Sequence, residues 1–140
     1  MRILKKWLSL LLMCFLPGLA MAATTSVPAV YTEDKPVATI LPDQPVFSIK
    51  LKSNPTTGFL WYLRSYDANV LEPVKHTFEP AANKKLIGAP GYEIWTFRVK
   101  PNGFVVPMQT FIRFVYGRSW ETNSQANQFV FQVTTRGKDK

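Results

Sequence analysis

Five consecutive residues combine side-chain hydroxyls with a constrained backbone: Asn54, Pro55, Thr56, Thr57 and Gly58. Proline fixes its own φ and disfavours a helical conformation for the residue before it, whereas glycine accepts a positive φ where the chain turns back. The two threonine hydroxyls can both donate and accept hydrogen bonds. A short loop held this stiffly loses little freedom on binding, so it is suited to entering the cleft of another protein. Taken alone, the segment is also compatible with an ordinary hairpin turn.

Alternation of apolar and polar residues on both sides of this segment predicts β-strands. The predicted strands comprise residues 37–41, 46–52, 59–66, 74–78, 92–99, 110–116 and 128–135. About seven strands at short spacing, joined by proline- and glycine-rich turns, predict an all-β protein with an immunoglobulin-like antiparallel β-sandwich.

Strand parity predicts which turns meet at the same end of the sandwich. If successive strands run antiparallel, every second connection emerges at one end, which groups the turns at 53–58, 79–91 and 117–127. The turns at 67–73 and 100–108 then fall at the other end. Loops grouped at one end of a rigid sandwich are how immunoglobulin-like domains present a binding surface.

The grouped loops carry further candidate contact residues. Beside the first loop stands Phe59, and the remaining candidates are Gly88, Ala89, Pro90, Gly91, Tyr92, Arg118, Ser119, Trp120 and Glu121. A large flat Trp close to an Arg is typical of an interface hot spot. Structural alternatives exist for each loop: an ordinary turn at Gly88, a surface ion pair between Arg118 and Glu121, and a Trp120 that caps the sandwich.

The large aromatic residues within the predicted strands are assigned to the core: Trp61, Trp95, Phe111, Phe114 and Phe129. The lone histidine, His76, is predicted to be a surface or edge residue of its strand. It has no spaced partner for nucleophilic catalysis, and the acidic residues are scattered without a ligand cluster. We therefore expect no enzymatic activity, no bound metal and no cofactor.

The amino terminus predicts export. A basic head is followed by the apolar run 7–16, a Pro-Gly break and a small-x-small cleavage site ending at Ala22, which together predict a signal peptide over residues 1–22. The apolar run is shorter than the about 20 residues that a membrane-spanning helix needs. We expect a mature protein that starts near Ala23, is periplasmic or secreted, and has no membrane association after cleavage.

The single cysteine, Cys14, lies inside the predicted signal peptide. Lipidation of Cys14 is an alternative, although a Met precedes it where a small residue is expected. A mature chain without cysteine has no disulfide, cysteine nucleophile or zinc–thiolate site. The mature chain is expected to contain a flexible lead-in at 23–36, one sandwich domain at 37–136 and a tail at 137–140.

Charge disfavours nucleic acid as a partner. The formal net charge is +8, and removal of the three cations in the predicted signal peptide leaves about +5. The positive residues are scattered, with tight groups only at Lys84-Lys85 and at 138–140, whereas nucleic-acid binding favours a dense basic stripe. We expect a monomer whose surplus charge serves solubility, with some steering toward an acidic partner.

Three motifs in order resemble the chagasin-type inhibitors of papain-like cysteine peptidases. They are Asn-Pro-Thr-Thr-Gly-Phe-x-Trp at 54–61, Gly-x-x-Gly at 88–91 and Arg-x-Trp-Glu at 118–121, and the resemblance covers about residues 46–133. The family usually has a tighter Gly-x-Gly in the second motif. It usually has proline where Ser119 stands, which leaves the third loop less rigid here.

The resemblance implies a reversible, tight-binding inhibitor that blocks a peptidase cleft with three loops. Thr56 and Thr57 would lie over the catalytic cysteine and histidine of the target. The loop 88–91 would run along the non-primed side, and Arg118 and Trp120 would pack on the primed side. Because such peptidases hold a thiolate beside an imidazolium, threonine hydroxyls and loop amides could hydrogen-bond within that charged site.

Two other roles fit the same loops. An exported carbohydrate-binding or adhesion module would use Trp120, Arg118 and Tyr92, and predicts sugar-dependent quenching of Trp fluorescence. A subunit of an enzyme or a chaperone partner would show no inhibition at all. An inhibitor is distinguished from both by tight block of a papain-like peptidase.

Overall fold

A computed structural model describes residues 26–82, 88–121 and 127–137. These residues form eight strands: β1 Ala29–Thr32, β2 Val37–Ile40, β3 Val46–Ser53, β4 Leu60–Ser65, β5 Leu71–Glu79, β6 Gly91–Val99, β7 Met108–Gly117 and β8 Asn127–Thr135. Short 3-10 turns lie at Pro55–Thr57 and Pro101–Phe104. The predicted signal peptide with Cys14, the Lys84-Lys85 pair and residues 138–140 of the predicted tail lie outside the described residues. No helix within the described ranges is long and apolar enough to cross a membrane.

The strands form two four-stranded sheets, ordered β1-β3-β6-β5 and β2-β8-β7-β4. The four pairings among β3 to β8 are antiparallel, which confirms the predicted all-β sandwich. The two short outer strands differ, because β1 runs parallel to β3 and β2 runs parallel to β8. These two edge pairings are the parallel exceptions in an otherwise antiparallel sandwich.

Strand β1 corrects the prediction of a flexible lead-in at 23–36. Ala29 pairs with Phe47 and Thr32 with Lys50 along the edge of β3. The ring of Tyr31 packs edge-on against Phe47 and Phe131, with centroids 6.3 and 5.6 Å away. The contacts of Tyr31 with core rings thus help to hold the short strand β1 against the edge of β3.

Strand β5 is longer than the predicted 74–78. It begins at Leu71, and the pairing with β6 shifts register between Pro73 and Lys75. Proline is tolerated within sheets at edge strands and bulges, and β5 is an edge strand of its sheet. Pro73, which the sequence analysis assigned to a turn, therefore lies inside a strand.

The core lies between the two sheets and is rich in aromatic rings. The rings of Phe47 and Phe97 stack with centroids 5.9 Å apart. The core predictions for Trp61 and Phe114 are confirmed by their burial, and Trp95 and Phe129 pack against the core while partly exposed. The prediction for Phe111 is wrong, since its side chain is 43% exposed. Inward-facing Ile112 and Phe114 place Phe111 on the outer face, as the two-residue period of a strand requires.

The turns at the far end, which we define as residues 66–70 and 100–107, meet as parity predicts. Lys100 Nζ donates to the Ala68 carbonyl and Asn102 Nδ2 to the Asn69 carbonyl, each at 2.6 Å. The Lys100 amide donates to the Val70 carbonyl at 2.8 Å. Successive connections therefore leave the sandwich at opposite ends. The candidate loops lie at the end away from residues 66–70 and 100–107, and we call it the loop end.

Candidate functional site

The first loop, residues 54–58, is a closed hydrogen-bonded turn. The Asn54 carbonyl accepts bonds from the amide of Thr57 at 3.2 Å and from its Oγ1 at 2.7 Å. The Pro55 carbonyl accepts the Gly58 amide at 3.0 Å, and Thr56 Oγ1 donates to Asn54 Oδ1 at 2.6 Å. Both hydroxyls thus donate within the loop. Because each hydroxyl also carries acceptor lone pairs, Thr56 and Thr57 can still accept bonds from a partner.

Arg118 joins the third loop, residues 118–121, to the first. Its Nε donates to the Thr57 carbonyl at 3.0 Å, and its guanidinium lies 4.4 Å from the centroid of the Phe59 ring. Its Nη1 also contacts Glu121 Oε1 at 3.0 Å. The predicted ion pair between Arg118 and Glu121 is present, but Arg118 makes two further contacts with the first loop and the residue after it.

Trp120 lies on the first loop while remaining 69% exposed. A Cβ built at Gly58 would come within 2.7 Å of Trp120 Cη2, so the indole packs directly against the glycine backbone. Gly58 also has a φ of +79°, which other residues rarely adopt. The absence of a side chain at Gly58 therefore permits both the turn and the position of the indole.

The second loop joins the same surface through Gly88. Asn54 Nδ2 donates to the Gly88 carbonyl at 3.3 Å, and Gly88 has a φ of +78° with open space around it. Gly91, in contrast, is buried at the start of β6, where a Cβ would come within 2.5 Å of the Glu79 carbonyl oxygen. Gly91 thus allows close pairing with β5, whereas Gly88 lies at the exposed turn.

The remaining candidates occupy different surroundings. Ala89 is half-buried, whereas Pro90 and Ser119 are exposed. Tyr92 is exposed on the outer face of its sheet, where Lys50 Nζ lies 4.4 Å from the ring centroid. Phe59 is half-buried and stacks on Tyr116 with centroids 5.4 Å apart. Phe59 therefore supports the loops from below.

Tyr116 and Glu93 were missed by sequence reasoning. Tyr116 Oη accepts the Asn54 amide at 3.0 Å and so fixes the start of the first loop. Glu93 is almost fully buried among core residues. The burial of Glu93 could have been predicted, because it stands on the inward-facing side of an alternating strand. The sequence around Tyr116 does not indicate its contact with Asn54.

His76 lies in edge strand β5, as predicted. Its ring stacks on Trp95 at 3.8 Å between centroids, and its Nε2 lies 2.9 Å from Glu93 Oε2. Within the described ranges, no three His, Cys, Asp or Glu side chains come together to hold a metal ion. His76 thus belongs to a structural contact beneath the loops.

These loops and the sandwich define a class of protein. Three connections from different strand pairs meet through direct hydrogen bonds and present exposed hydroxyls, a glycine turn and an indole on one surface. Such a preorganised loop surface is typical of a module that binds another protein.

The sequence identifies the family. Residues 41–135 match the family described as chagasin family peptidase inhibitor I42, and the chain belongs to this family. Membership confirms the predicted family, the inhibitory function and the protein partner, and it confirms that the protein is not an enzyme. No curated protein matches the sequence significantly.

Solved structures confirm the fold. The cysteine protease inhibitor EhICP2 from Entamoeba histolytica has a TM-score of 0.61 and 19% identity, over 77% of this chain and 95% of that chain. Amebosin has a TM-score of 0.59 and 22% identity, over 78% of this chain and 98% of that chain. At this identity, the two likenesses establish the architecture alone.

Proposed function

We propose that the protein is a reversible, tight-binding inhibitor of papain-like cysteine peptidases, and that its three loops block the active-site cleft. The observation that carries the proposal is the joining of the loops: Arg118 Nε bonds to the Thr57 carbonyl and Asn54 Nδ2 to the Gly88 carbonyl. Three separate connections thereby form one preformed surface. Family membership supports the inhibitory role, and the sequence resemblance supports the class of peptidase.

The first loop is the segment proposed to enter the cleft. Thr56 and Thr57 are exposed at its tip, where the hydroxyl oxygens would be available as acceptors to a partner. A papain-like peptidase holds a thiolate next to an imidazolium, and the imidazolium offers an N–H donor to such acceptors. The loop would therefore occupy the catalytic pair without supplying a substrate.

Resistance to cleavage follows from the bonding of the loop carbonyls. The carbonyls of Asn54 and Pro55 accept bonds from within the loop, and the carbonyl of Thr57 accepts Arg118. A carbonyl under attack by a thiolate must reach an aligned geometry close to the nucleophile. Because three of the five loop carbonyls are held by internal donors, the loop has less freedom than a flexible substrate to follow this path.

The other two loops are proposed to contact the cleft on either side. The exposed indole of Trp120 offers a flat apolar surface backed by the first loop, as expected of a hot spot. On the other side, the open space around Gly88 lets a partner approach the main chain. Ala89, Pro90, Tyr92, Ser119 and Glu121 complete the proposed contact surface.

A peptidase panel tests the proposed function. Increasing amounts of the protein are added to papain, a serine peptidase and a metallopeptidase, and residual activity is measured before and after dilution. We expect block of papain alone, with recovery on dilution, and mass spectrometry that shows residues 54–58 intact after long incubation. Steady cleavage there would make the loop a substrate, and absence of block would contradict the proposal.

The exposed Trp120 next to Arg118 also favours a second candidate, a carbohydrate-binding or adhesion module. The same preparation is titrated with oligosaccharides while Trp fluorescence is recorded. Saturable quenching would support this second role of the loop surface, and unchanged fluorescence would contradict it.

We propose further that the protein acts outside the cytoplasm as a monomer that starts near Ala23. The basic head, the short apolar run and the small residues before Ala23 support this compartment. Amino-terminal sequencing of the exported protein is expected to begin near Ala23. An exported protein that retains Cys14 with lipid attached would contradict it.

A further inference from the structure

Glu93 is the one acidic side chain in the described residues that is fully buried, with 1% of its surface exposed. A buried carboxylate is costly unless hydrogen bonds and charges compensate it. Its partners are Ser53 Oγ at 2.6 Å, the Trp61 amide at 3.0 Å and His76 Nε2 at 2.9 Å. These three partners lie on strands that lead into or out of the candidate loops.

Two of the partners, Ser53 and Trp61, belong to the strands on either side of the first loop, which we call its stems. Ser53 is the last residue of β3, directly before the loop, and Trp61 is the second residue of β4, shortly after it. A single oxygen, Glu93 Oε1, accepts bonds from both. Because β3 and β4 belong to different sheets, this oxygen joins the two sheets at the base of the loop.

The second carboxylate oxygen is held from the other side. The His76 ring lies flat on Trp95, with centroids 3.8 Å apart and an angle of 16° between the planes. This stacking orients Nε2 toward Glu93 Oε2. His76 lies in β5 and Glu93 in β6, the strands that flank the second loop, so the contact also links the stems of that loop.

We propose that Glu93 is a positioning residue for inhibition: its carboxylate sets the spacing of the two stems and thereby holds the first loop in its binding conformation. This inference rests on the proposed inhibitory function of that loop. A loop that samples other conformations binds more weakly in proportion to the fraction of molecules in the competent state. Glu93 therefore influences affinity without contacting the peptidase.

Two substitutions at this position separate hydrogen bonding from charge. In Glu93→Leu, Ser53 and Trp61 lose their common acceptor, and we expect the inhibition constant for papain to rise about tenfold or more. In Glu93→Gln, the amide oxygen still accepts both bonds and the amide nitrogen faces His76, so we expect inhibition within about threefold of the unaltered protein. Equal inhibition by Glu93→Leu and the unaltered protein would overturn the proposal.

A matched variant at the far end controls for stability. Thr135 is fully buried, and its hydroxyl contacts the amide and carbonyl of Met108. Thr135→Val removes a buried hydrogen bond remote from the loops, so it should lower stability and leave inhibition of papain unchanged. Parallel loss of inhibition in Thr135→Val and Glu93→Leu, in proportion to their melting temperatures, would overturn the positioning role.

Hydrogen exchange in the free protein tests the same inference without a peptidase. We expect faster exchange of the Asn54 and Trp61 amides in Glu93→Leu and unchanged exchange there in Thr135→Val. Failure of the unaltered protein to inhibit papain would contradict the proposed function. Unchanged exchange of these amides in Glu93→Leu would separately contradict the proposal that Glu93 positions the first loop. Should Glu93→Leu not fold, Ser53→Ala serves instead: faster exchange at Asn54 supports the proposal, and no change contradicts it.

Discussion

The two ends of the sandwich are held by the same kind of bonds but present different surfaces. At the far end, Lys100 and Asn102 donate to main-chain carbonyls of the facing turn, much as Arg118 and Asn54 do at the loop end. The exposed apolar residues of the far end include the aliphatic Val105, at 78%. The loop end instead exposes an indole and two hydroxyls.

Rigidity is therefore common to both ends and does not by itself mark a binding site. What distinguishes the loop end is that an indole and a guanidinium both pack on a stiff turn. Trp120 lies against Gly58, and Arg118 contacts both the Phe59 ring and the Thr57 carbonyl. Interface hot spots combine such anchors with low conformational cost. Substitutions at the two ends should consequently affect affinity and stability in different proportions.

The largest expected effect is a loss of stability from a substitution in the core beneath the loop end. Trp61 is buried, and its Nε1 donates to the Lys52 carbonyl at 2.9 Å. Trp61→Ala should lower the free energy of unfolding by about 3–5 kcal/mol, because it leaves a cavity in the core. Chemical denaturation measures this change, and a loss below about 1 kcal/mol would show that the site collapses without cost.

Trp120→Ala should separate affinity from stability. Removal of a hot-spot aromatic costs about 2–4 kcal/mol of binding free energy, which is roughly a 30- to 1,000-fold rise in the inhibition constant. The melting temperature should hardly change, because the side chain is mostly exposed. Val105→Ala at the far end is the control, with neither quantity altered. An early melt with normal inhibition would mean that Trp120 is a structural cap.

Gly58→Ala and Gly88→Ala form a matched pair. Both glycines have a φ near +79°, but a Cβ would meet the Trp120 ring only at Gly58. The left-handed conformation costs an alanine about 1–2 kcal/mol at either position. Gly58→Ala should in addition displace the indole and weaken inhibition more than Gly88→Ala. Inhibition constants and Trp fluorescence measure the difference, and equal losses would show that the Trp120 contact is unimportant.

Ser119→Pro should have the smallest effect, in the favourable direction. Proline at a compatible position stabilises a protein by about 0.4–1 kcal/mol, chiefly because it reduces the conformational freedom of the unfolded chain. The same restriction of φ would make the unbound loop stiffer. We expect inhibition to improve by a few-fold at most, with a small rise in melting temperature. Weaker inhibition would show that the backbone at Ser119 does not accept the φ of proline.

Much of the fold was predictable because strand period and parity are local properties of the sequence. The period identified β3, β6, β7 and β8 nearly to their ends, and parity placed the three loops together. Strand β1 was missed because four residues give little periodicity, and its place depends on Tyr31 reaching rings on other strands. The two-residue period of β7 predicts an exposed Phe111, whereas its aromatic type predicts burial, and here the period prevails.

The grouping of the candidate loops was predictable from the sequence, but the bonds between them were not. The order of the motifs identified the three loops. The contact between Arg118 and Thr57, however, joins residues 61 positions apart, and the packing of Trp120 on Gly58 depends on the final loop conformation. Such contacts arise from tertiary structure, which sequence spacing does not specify.

The bulge at Pro73 and Lys75 in β5 also bears on self-association. An edge strand with a regular row of amides and carbonyls invites a strand from a second molecule to add to it. Proline has no main-chain donor, and the register shift at the bulge interrupts the regular spacing of the strand. An irregular strand of this kind is a poor template for a strand from a second molecule, so β5 offers little support for the edge-to-edge association of two sandwiches.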